Sequence, residues 1–129
     1  MLTLLMLAAV VALPARAQGT YSSEGPVADQ VRAAIAAYEA ADWDAFRGMF
    51  AEDAYFVNNG DTLSLDERMA EHMGLREMFD DVGFVEPVVG VVENDGQTWG
   101  LIWGNWTATH KETGETVNVM VHVASLRQD

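Results

Sequence analysis

Apolar side chains recur at helical spacing in the part of the chain that follows Gly25. They stand three or four residues apart, at Val27, Val31, Ile35 and Tyr38. This spacing is typical of a helix with one buried side. Pro26 suits the first turn of such a helix, because the amide hydrogen that proline lacks would be unpaired there. The pattern therefore predicts a first helix that begins at Pro26.

Two further helices are expected after the first. Asp42 is a suitable N-cap for a short helix whose apolar side carries Trp43, Phe46, Met49 and Phe50. A short strand over residues 54–57 then ends in a turn at Asn58–Asp61. Ser64 and Glu67 have the spacing of a capping box, which predicts a third helix that runs to about Phe79 and is stopped by residues 80–83. Its inward side carries Leu65, Met69, His72, Met73 and Phe79.

From Phe84 onward the apolar residues alternate with a period of two, which indicates β-strands. Strands are expected over residues 88–92, 98–110 and 117–127, with turns at residues 94–96 and 112–114. Helices that are followed by an antiparallel meander predict an α+β domain.

The N-terminal segment has the pattern of an export signal. An apolar run over residues 2–13 is too short to span a bilayer, and Ala15 and Ala17 precede a cleavage site at Gln18. We therefore expect a signal peptide over residues 1–17, a linker over 18–25 and one domain over 26–129, in a periplasmic or secreted protein. Because no basic residue precedes the apolar run, a start further upstream and a buried N-terminal helix are the alternatives.

The chain is strongly acidic, with a formal net charge of −13 over 129 residues. Nucleic acids and anionic membrane surfaces require a basic face, so we expect neither of them as a partner of the mature chain. The lack of cysteine excludes disulfides, thiol catalysis and zinc–thiolate sites. The sequence contains no glycine-rich phosphate loop, nucleophile elbow or His-Glu-x-x-His motif, and we expect no metal and no cofactor.

The stretch from Tyr38 to Phe56 resembles the opening of the nuclear transport factor 2-like superfamily. It carries an acidic–hydrophobic–acidic turn between two helices and then Phe-Ala-Glu-Asp-Ala at residues 50–54. The later hairpin, residues 99–126, resembles the SnoaL-like branch, which is related to the ketosteroid isomerases. The resemblance implies a cone-like curved antiparallel sheet wrapped around the N-terminal helices. It also implies one more strand after Asp129, so we expect a domain that is incomplete at its C-terminus and has an open sheet edge.

The resemblance specifies the fold more than the chemistry, because this fold hosts isomerases, cyclases, hydrolases, dehydratases and binding proteins. Alignment with the ketosteroid isomerases puts their proton-abstracting base at Asn58, their oxyanion-binding tyrosine at Ala34 and their oxyanion-binding acid at His122. An amide cannot abstract a proton and alanine cannot donate a hydrogen bond. Isomerase chemistry by that route is therefore not expected.

His122 and Tyr38 are the candidate catalytic residues. The resemblance puts His122 on the cavity face, where an imidazole would donate to an oxyanion or act as acid or base. A core histidine bonded to a neighbour is the structural alternative. Tyr38 lies one helical turn beyond Ala34, on the same side, so its hydroxyl would replace the absent tyrosine. Packing on Trp43 or on the sheet is its structural alternative.

The candidate ligand-binding residues are Asn58, His72, Ile102, Trp106 and Met120. Asn58 ends the first strand at the expected pocket mouth, or it belongs only to the turn. His72 faces inward from the third helix, either as a ligand contact or as a core histidine whose hydrogen bonds are satisfied within the protein. The remaining three form an apolar cavity wall in one of two possible hairpin registers.

The loop length decides which strand faces meet in that hairpin. A three-residue loop pairs Gly104 with His122 and Trp106 with Met120, which builds the cavity wall and leaves room beside His122. A two-residue loop pairs Asn105 with His122 instead. Because a slip of one residue exchanges the two faces, the choice determines which tryptophan lines the cavity.

Three functions fit these observations. The chain would be an acid–base enzyme of the isomerase, cyclase or hydrolase type that acts on a small apolar organic molecule. Alternatively, it would be a non-catalytic binding module for such a ligand, or an association domain. We expect a homodimer, for which a patch of Trp99 and Trp103 on the outer sheet face is the candidate surface.

Overall fold

The computed structural model describes residues 19–127, so the predicted signal peptide lies outside the described residues. The helices are α1 (Pro26–Glu39), α2 (Trp43–Arg47) and α3 (Leu65–Met78). The strands are β1 (Thr20–Ser22), β2 (Tyr55–Asn58), β3 (Asp61–Ser64), β4 (Phe79–Asn94), β5 (Gln97–His110) and β6 (Thr116–Leu126). The α+β class predicted from the sequence is confirmed.

The main sheet is antiparallel and has the strand order β1-β4-β5-β6, while β2 and β3 form a separate hairpin. The helices cover one face of the main sheet, which we call the inner face. It carries the even-numbered residues of β5: a Cβ atom added at Gly100 would lie 2.6 Å from Val31, and Ala108 is buried in the core. The opposite face, which carries the odd-numbered residues of β5, is the outer face.

Local signals set the helix ends as predicted. The Asp42 side chain accepts a hydrogen bond from the Ala45 amide at the start of α2. Ser64 and Glu67 form the complete capping box at the start of α3. The end of α3 at Met78 agrees with the predicted end at about Phe79. Residues 80–83, which were expected to stop the helix, belong to β4, because the chain passes from the helix directly into that strand.

Two β-bulges shape β4. At each, two residues of β4 stand opposite one residue of β5, between Asp80 and Gly83 and between Val85 and Val88. Asp81 (φ 51°) and Glu86 (φ 43°) take the left-handed conformation that such bulges use. Because the second bulge inserts one residue, it changes which parity of β4 faces inward. The inner face therefore receives Val82 and Phe84 before the bulge, and Val89 and Val91 after it.

The predicted linker over residues 18–25 is wrong in part. Tyr21 pairs with Val92, so β1 is an edge strand of the main sheet. A Cβ atom added at Gly90 would lie only 2.6 Å from the Tyr21 ring. Glycine is therefore required at this position for the close approach of the ring.

Both predicted hairpin registers are also wrong, since Trp103 pairs with His122 and Trp106 pairs with Val119. The loop is longer than expected and runs from Lys111 to Gly114: the His110 amide donates to the Glu115 carbonyl (2.8 Å) and the Gly114 amide donates to the His110 carbonyl (2.8 Å). The His110 ring stabilises this loop, because its Nδ1 atom accepts a hydrogen bond from the Glu112 amide at 3.2 Å.

The observed register puts His122 and Met120 on the outer face, with Trp103 and Asn105. Gly104 also differs from its expected role. It lies beneath the second bulge of β4, and a Cβ atom there would be 3.1 Å from the Pro87 Cα atom. The space that we expected beside His122 is therefore used for packing between neighbouring strands.

Candidate functional site

Tyr38 lies near the C-terminal end of α1 and points at the inner face of the sheet. Its hydroxyl oxygen accepts a hydrogen bond of 3.0 Å from the Trp106 indole nitrogen. An indole nitrogen can only donate, so the hydroxyl proton of Tyr38 remains available for another acceptor. Burial raises the pKa of Tyr38, against smaller lowering effects of the Trp106 hydrogen bond and the Arg76 charge. Tyr38 is therefore a neutral hydrogen-bond donor at physiological pH.

His72 occupies the space between the three helices. Its ring centroid lies 4.9 Å from that of Tyr38 and 5.5 Å from that of Phe46, and its ring stacks parallel to Trp43 at 6.2 Å. The residue is 8% exposed, and its Nδ1 atom has no hydrogen-bond partner within residues 19–127. Burial, with a smaller effect of the Arg68 charge, lowers the pKa of His72 to about 4. The imidazole is therefore neutral near pH 7.

Arg76 holds Tyr38 from the other side. One guanidinium nitrogen of Arg76 donates to the backbone carbonyls of Tyr38 and Glu39, both at 2.8 Å. The guanidinium carbon lies 5.8 Å from the centroid of the Tyr38 ring. The Glu39 carboxylate in turn accepts a hydrogen bond of 2.8 Å from the Phe84 amide. These contacts fasten the end of α1 to α3 and β4, and thereby fix the position of Tyr38.

The structure brings together three of the predicted site residues, which are Tyr38, His72 and Trp106. Tyr38 also packs on Trp43, with ring centroids 6.1 Å apart, which is its structural alternative. His72 is buried as a core histidine would be, but its Nδ1 atom has no hydrogen-bond partner among the described residues. Their roles toward a ligand stay predictions. Sequence reasoning missed Arg76 and Glu39, because their partners on the described chain lie far away in sequence.

The other four predicted site residues lie elsewhere. His122 stacks on Trp103 on the outer face, with centroids 4.8 Å apart and ring planes 13° apart. Met120, also on the outer face, is 69% exposed. Asn58 is exposed at the end of β2, where it pairs with Asp61. Ile102 is on the inner face as expected, but it packs against a second apolar cluster of Ala28, Ile35, Val89 and Val91.

The inner face around Tyr38 is filled by side chains in this conformation. Apolar residues from all three helices and from β4 and β5 pack there, among them Phe46, Met69, Val82 and Ala108. Two surface depressions on residues 19–127 lie elsewhere. One of about 440 Å³ adjoins the β4–β5 turn, and one of about 190 Å³ lies between β1 and the start of α1. The predicted cavity wall of Ile102, Trp106 and Met120 is not formed, because Met120 lies on the outer face.

Within the same residues, no group of three or more histidine, aspartate and glutamate side chains is arranged to hold a metal ion. No helix between Gly19 and Arg127 has the length and apolar character needed to cross a membrane.

Comparison with solved structures shows the fold. A hypothetical protein with a ketosteroid isomerase-like fold from Catenulispora acidiphila, solved in complex with trimethylamine, matches with a TM-score of 0.60 and 15% identity. The match covers 78% of this chain and 76% of that protein. A candidate polyketide cyclase from Xanthomonas campestris pv. campestris matches with a TM-score of 0.57 and 18% identity, over 76% of this chain and 78% of that protein. No protein-family model and no curated protein matches the sequence.

Proposed function

We propose that the chain, which has the fold of the ketosteroid isomerase-like structures that it matches, binds a small, largely apolar organic molecule on the inner face of its sheet, with Tyr38 as the polar contact. Binding there requires some of the side chains that fill this face in the present conformation to move aside. The observation that carries this proposal is the hydrogen bond from Trp106 to Tyr38. Because that bond uses the hydroxyl oxygen as acceptor, the ligand must present an acceptor such as a carbonyl, ether or phenolic oxygen.

The surroundings of Tyr38 favour a neutral ligand over a cationic one. The Arg76 guanidinium already lies against the Tyr38 ring, so a second cation there would be repelled. Trimethylamine, the ligand of the first neighbour, is an ammonium ion at neutral pH. We therefore expect this chain to prefer neutral aromatic ketones, phenols or steroids to trimethylamine.

Binding is the better-supported half of the sequence-based hypothesis. Acid–base catalysis needs a group whose pKa lies near the working pH, and the imidazole nearest to Tyr38 has a pKa of about 4. His122, the other predicted catalytic residue beside Tyr38, lies on the opposite face of the sheet. If the chain turns over a ligand, Tyr38 would stabilise developing negative charge on the bound oxygen, as in the isomerase, cyclase or hydrolase types of chemistry.

Calorimetric titration of the full chain with neutral aromatic ketones, phenols and steroids tests this proposal. We expect Tyr38→Phe to weaken binding about tenfold, because one buried hydrogen bond to the ligand is lost. Tyr55→Phe is the matched control, since Tyr55 is 73% exposed on β2. Equal affinities in the two variants would exclude Tyr38 as the polar contact, and no saturable binding by any compound would overturn the proposed function.

Export is part of the same proposal and rests on residues 1–17 alone. N-terminal sequencing of the protein recovered from a secreting host should give Gln18 as the first residue. Recovery of the chain only with Met1 would contradict export.

The expected homodimer also stays a prediction. The candidate patch is on the outer face, where Trp99 and Trp103 are only partly exposed.

A further inference from the structure

Two buried side-chain nitrogen atoms lack a hydrogen-bond partner within residues 19–127, and both belong to residues that contact the Tyr38 ring. They are Nδ1 of His72 and Nε of Arg76. The His72 ring centroid lies 4.9 Å from that of Tyr38, and the Arg76 guanidinium carbon lies 5.8 Å from it. Buried polar atoms of folded proteins are normally paired, so such atoms mark places where a water molecule or a ligand group binds. The surroundings of Tyr38 therefore point to a polar group bound beside its ring.

The Trp106 indole fixes the direction of the hydrogen bonds around Tyr38. Because the indole nitrogen only donates, the Tyr38 oxygen accepts from it and the hydroxyl hydrogen is left for a further acceptor. A neutral imidazole has one acceptor nitrogen, and free histidine favours the tautomer in which this nitrogen is Nδ1. Tyr38 therefore requires an acceptor, and His72 requires a donor.

A hydroxyl group meets both requirements with one oxygen atom. We propose that the polar group of the ligand is a hydroxyl, which accepts a hydrogen bond from Tyr38 and donates one to Nδ1 of His72. The 4.9 Å between the two ring centroids is less than the roughly 5.6 Å that two hydrogen bonds through a single oxygen atom span. The step rests on the proposed function and narrows its ligand from any oxygen acceptor to an alcohol or a phenol.

Ketones, ethers and carboxylates lack the hydrogen that His72 requires. Each of them accepts from Tyr38, but each leaves Nδ1 of His72 buried against the ligand without a partner. Solvent does not replace the missing donor, because His72 is 8% exposed and its Nδ1 atom is covered. The same burial lowers the pKa of the imidazole to about 4, so the ring stays neutral and keeps its acceptor nitrogen near pH 7.

Calorimetric titration of the full chain with naphthol and with its methyl ether tests the proposal. The two probes share an aromatic body and an oxygen that accepts from Tyr38, and they differ in the hydrogen that only naphthol donates. We expect naphthol to bind about tenfold more tightly, since the ether leaves Nδ1 of His72 unpaired. The ratio of the two dissociation constants is the measure, and its change between variants removes the steric effect of the methyl group.

Four variants assign that ratio to His72. His72→Phe keeps an aromatic ring without an acceptor, so the preference for naphthol should fall about tenfold. His72→Asn offers an amide oxygen in the place of Nδ1 and should retain part of the preference. Tyr38→Phe should weaken both probes and leave their ratio near that of the wild type. His122→Gln is the matched control: it removes an exposed imidazole from the outer face and should change neither constant.

The outcomes separate the hydroxyl from the site itself. If the wild-type chain binds both probes with a ratio that His72→Phe leaves unchanged, the hydroxyl assignment is wrong and the proposed function stands. If neither probe binds, the proposed function fails and the assignment fails with it. Tighter binding of the ether that depends on His72 would show that Nδ1 donates, which also overturns the assignment. Circular dichroism identifies any variant that has lost its fold.

NMR of the imidazole nitrogens provides a second measurement, which requires no ligand. In the free chain near pH 7 we expect the Nδ1 atom of His72 to be unprotonated and Nε2 to carry the hydrogen. Naphthol should shift the Nδ1 resonance of His72, because it donates a hydrogen bond there, and its methyl ether should not do so in the same way. A hydrogen on Nδ1 in the free chain would overturn the proposed direction of the hydrogen bonds.

Discussion

Protonation of His72 should be the main link between acid and the stability of this fold in the weakly acidic range. The imidazole has a pKa of about 4 in the folded chain and about 6.5 when unfolded, because burial among Tyr38, Trp43 and Phe46 disfavours its charged form. Between these values the unfolded chain binds a proton that the folded chain does not. The free energy of unfolding therefore falls as the pH falls from 6.5 to 4.

The size of this effect follows from the difference between the two pKa values. That difference corresponds to roughly 3 kcal/mol, fully present above pH 6.5 and lost by pH 4, of which about 2 kcal/mol is lost by pH 5. The loss is a substantial part of the stability of a typical domain. The pKa of Glu67 is lowered from its ordinary value of 4.5 by its hydrogen bonds with Ser64, so protonation of this carboxylate weakens the cap of α3 only at lower pH than the loss from His72.

Urea denaturation at pH 7, 6 and 5 measures the effect, and a variant isolates it. His72→Phe keeps an aromatic ring in the cluster and removes the titrating group, so its free energy of unfolding should change by about 2 kcal/mol less between pH 7 and 5. His122→Gln is the control, because it removes an exposed imidazole from the outer face. Equal pH dependence in the wild type and in His72→Phe would refute the assignment of the acid sensitivity to this core histidine.

Two further substitutions test contacts that fix the helices. Arg76→Ala should lower the free energy of unfolding by about 1–3 kcal/mol, because the carbonyls of Tyr38 and Glu39 would lose the side-chain donor that they share. Arg32→Ala at an exposed ion pair should change it far less, and similar losses in both would contradict this role of Arg76. Ala41→Gly should stabilise the chain by about 0.5–1 kcal/mol in thermal unfolding, since Ala41 has a left-handed backbone (φ 54°). Ala40→Gly, at φ −77°, should destabilise it instead, and the same sign in both variants would show that backbone strain at Ala41 is unimportant.

The features of the fold that are set by residues close together in the sequence were predictable. Asp42 and the capping box of Ser64 and Glu67 act within one helical turn, and both are found as expected. The inward positions of Tyr38 and His72 follow from helical periodicity in the same way. Arg76 was not predictable as their support, because its acceptors are backbone carbonyls on another helix and leave no mark in the pattern of side chains.

Which side chains of each strand point inward could not be predicted, because one residue more or less in a bulge or loop exchanges the two faces of the strand. The bulge at Glu86 exchanges the inward and outward positions of β4. In the β5–β6 hairpin, hydrogen bonds from the loop to the His110 ring favour a longer loop than glycine alone suggests. Alternation along a strand predicts which residues share a face, but not which face is inside. His122 and Trp106 were therefore expected on one face and lie on opposite ones.

Tyr38 is a stronger candidate for a functional role than His122, because more contacts fix its position. The position of a helical residue is set by the direction of the helix and by contacts that surround it, and Tyr38 is held by Trp106, Arg76 and the aromatic cluster at once. His122 lies on an edge strand, where its position depends on the length of one loop and on a single stacking contact with Trp103. The function of this chain is therefore expected at the junction of the helices and the inner face.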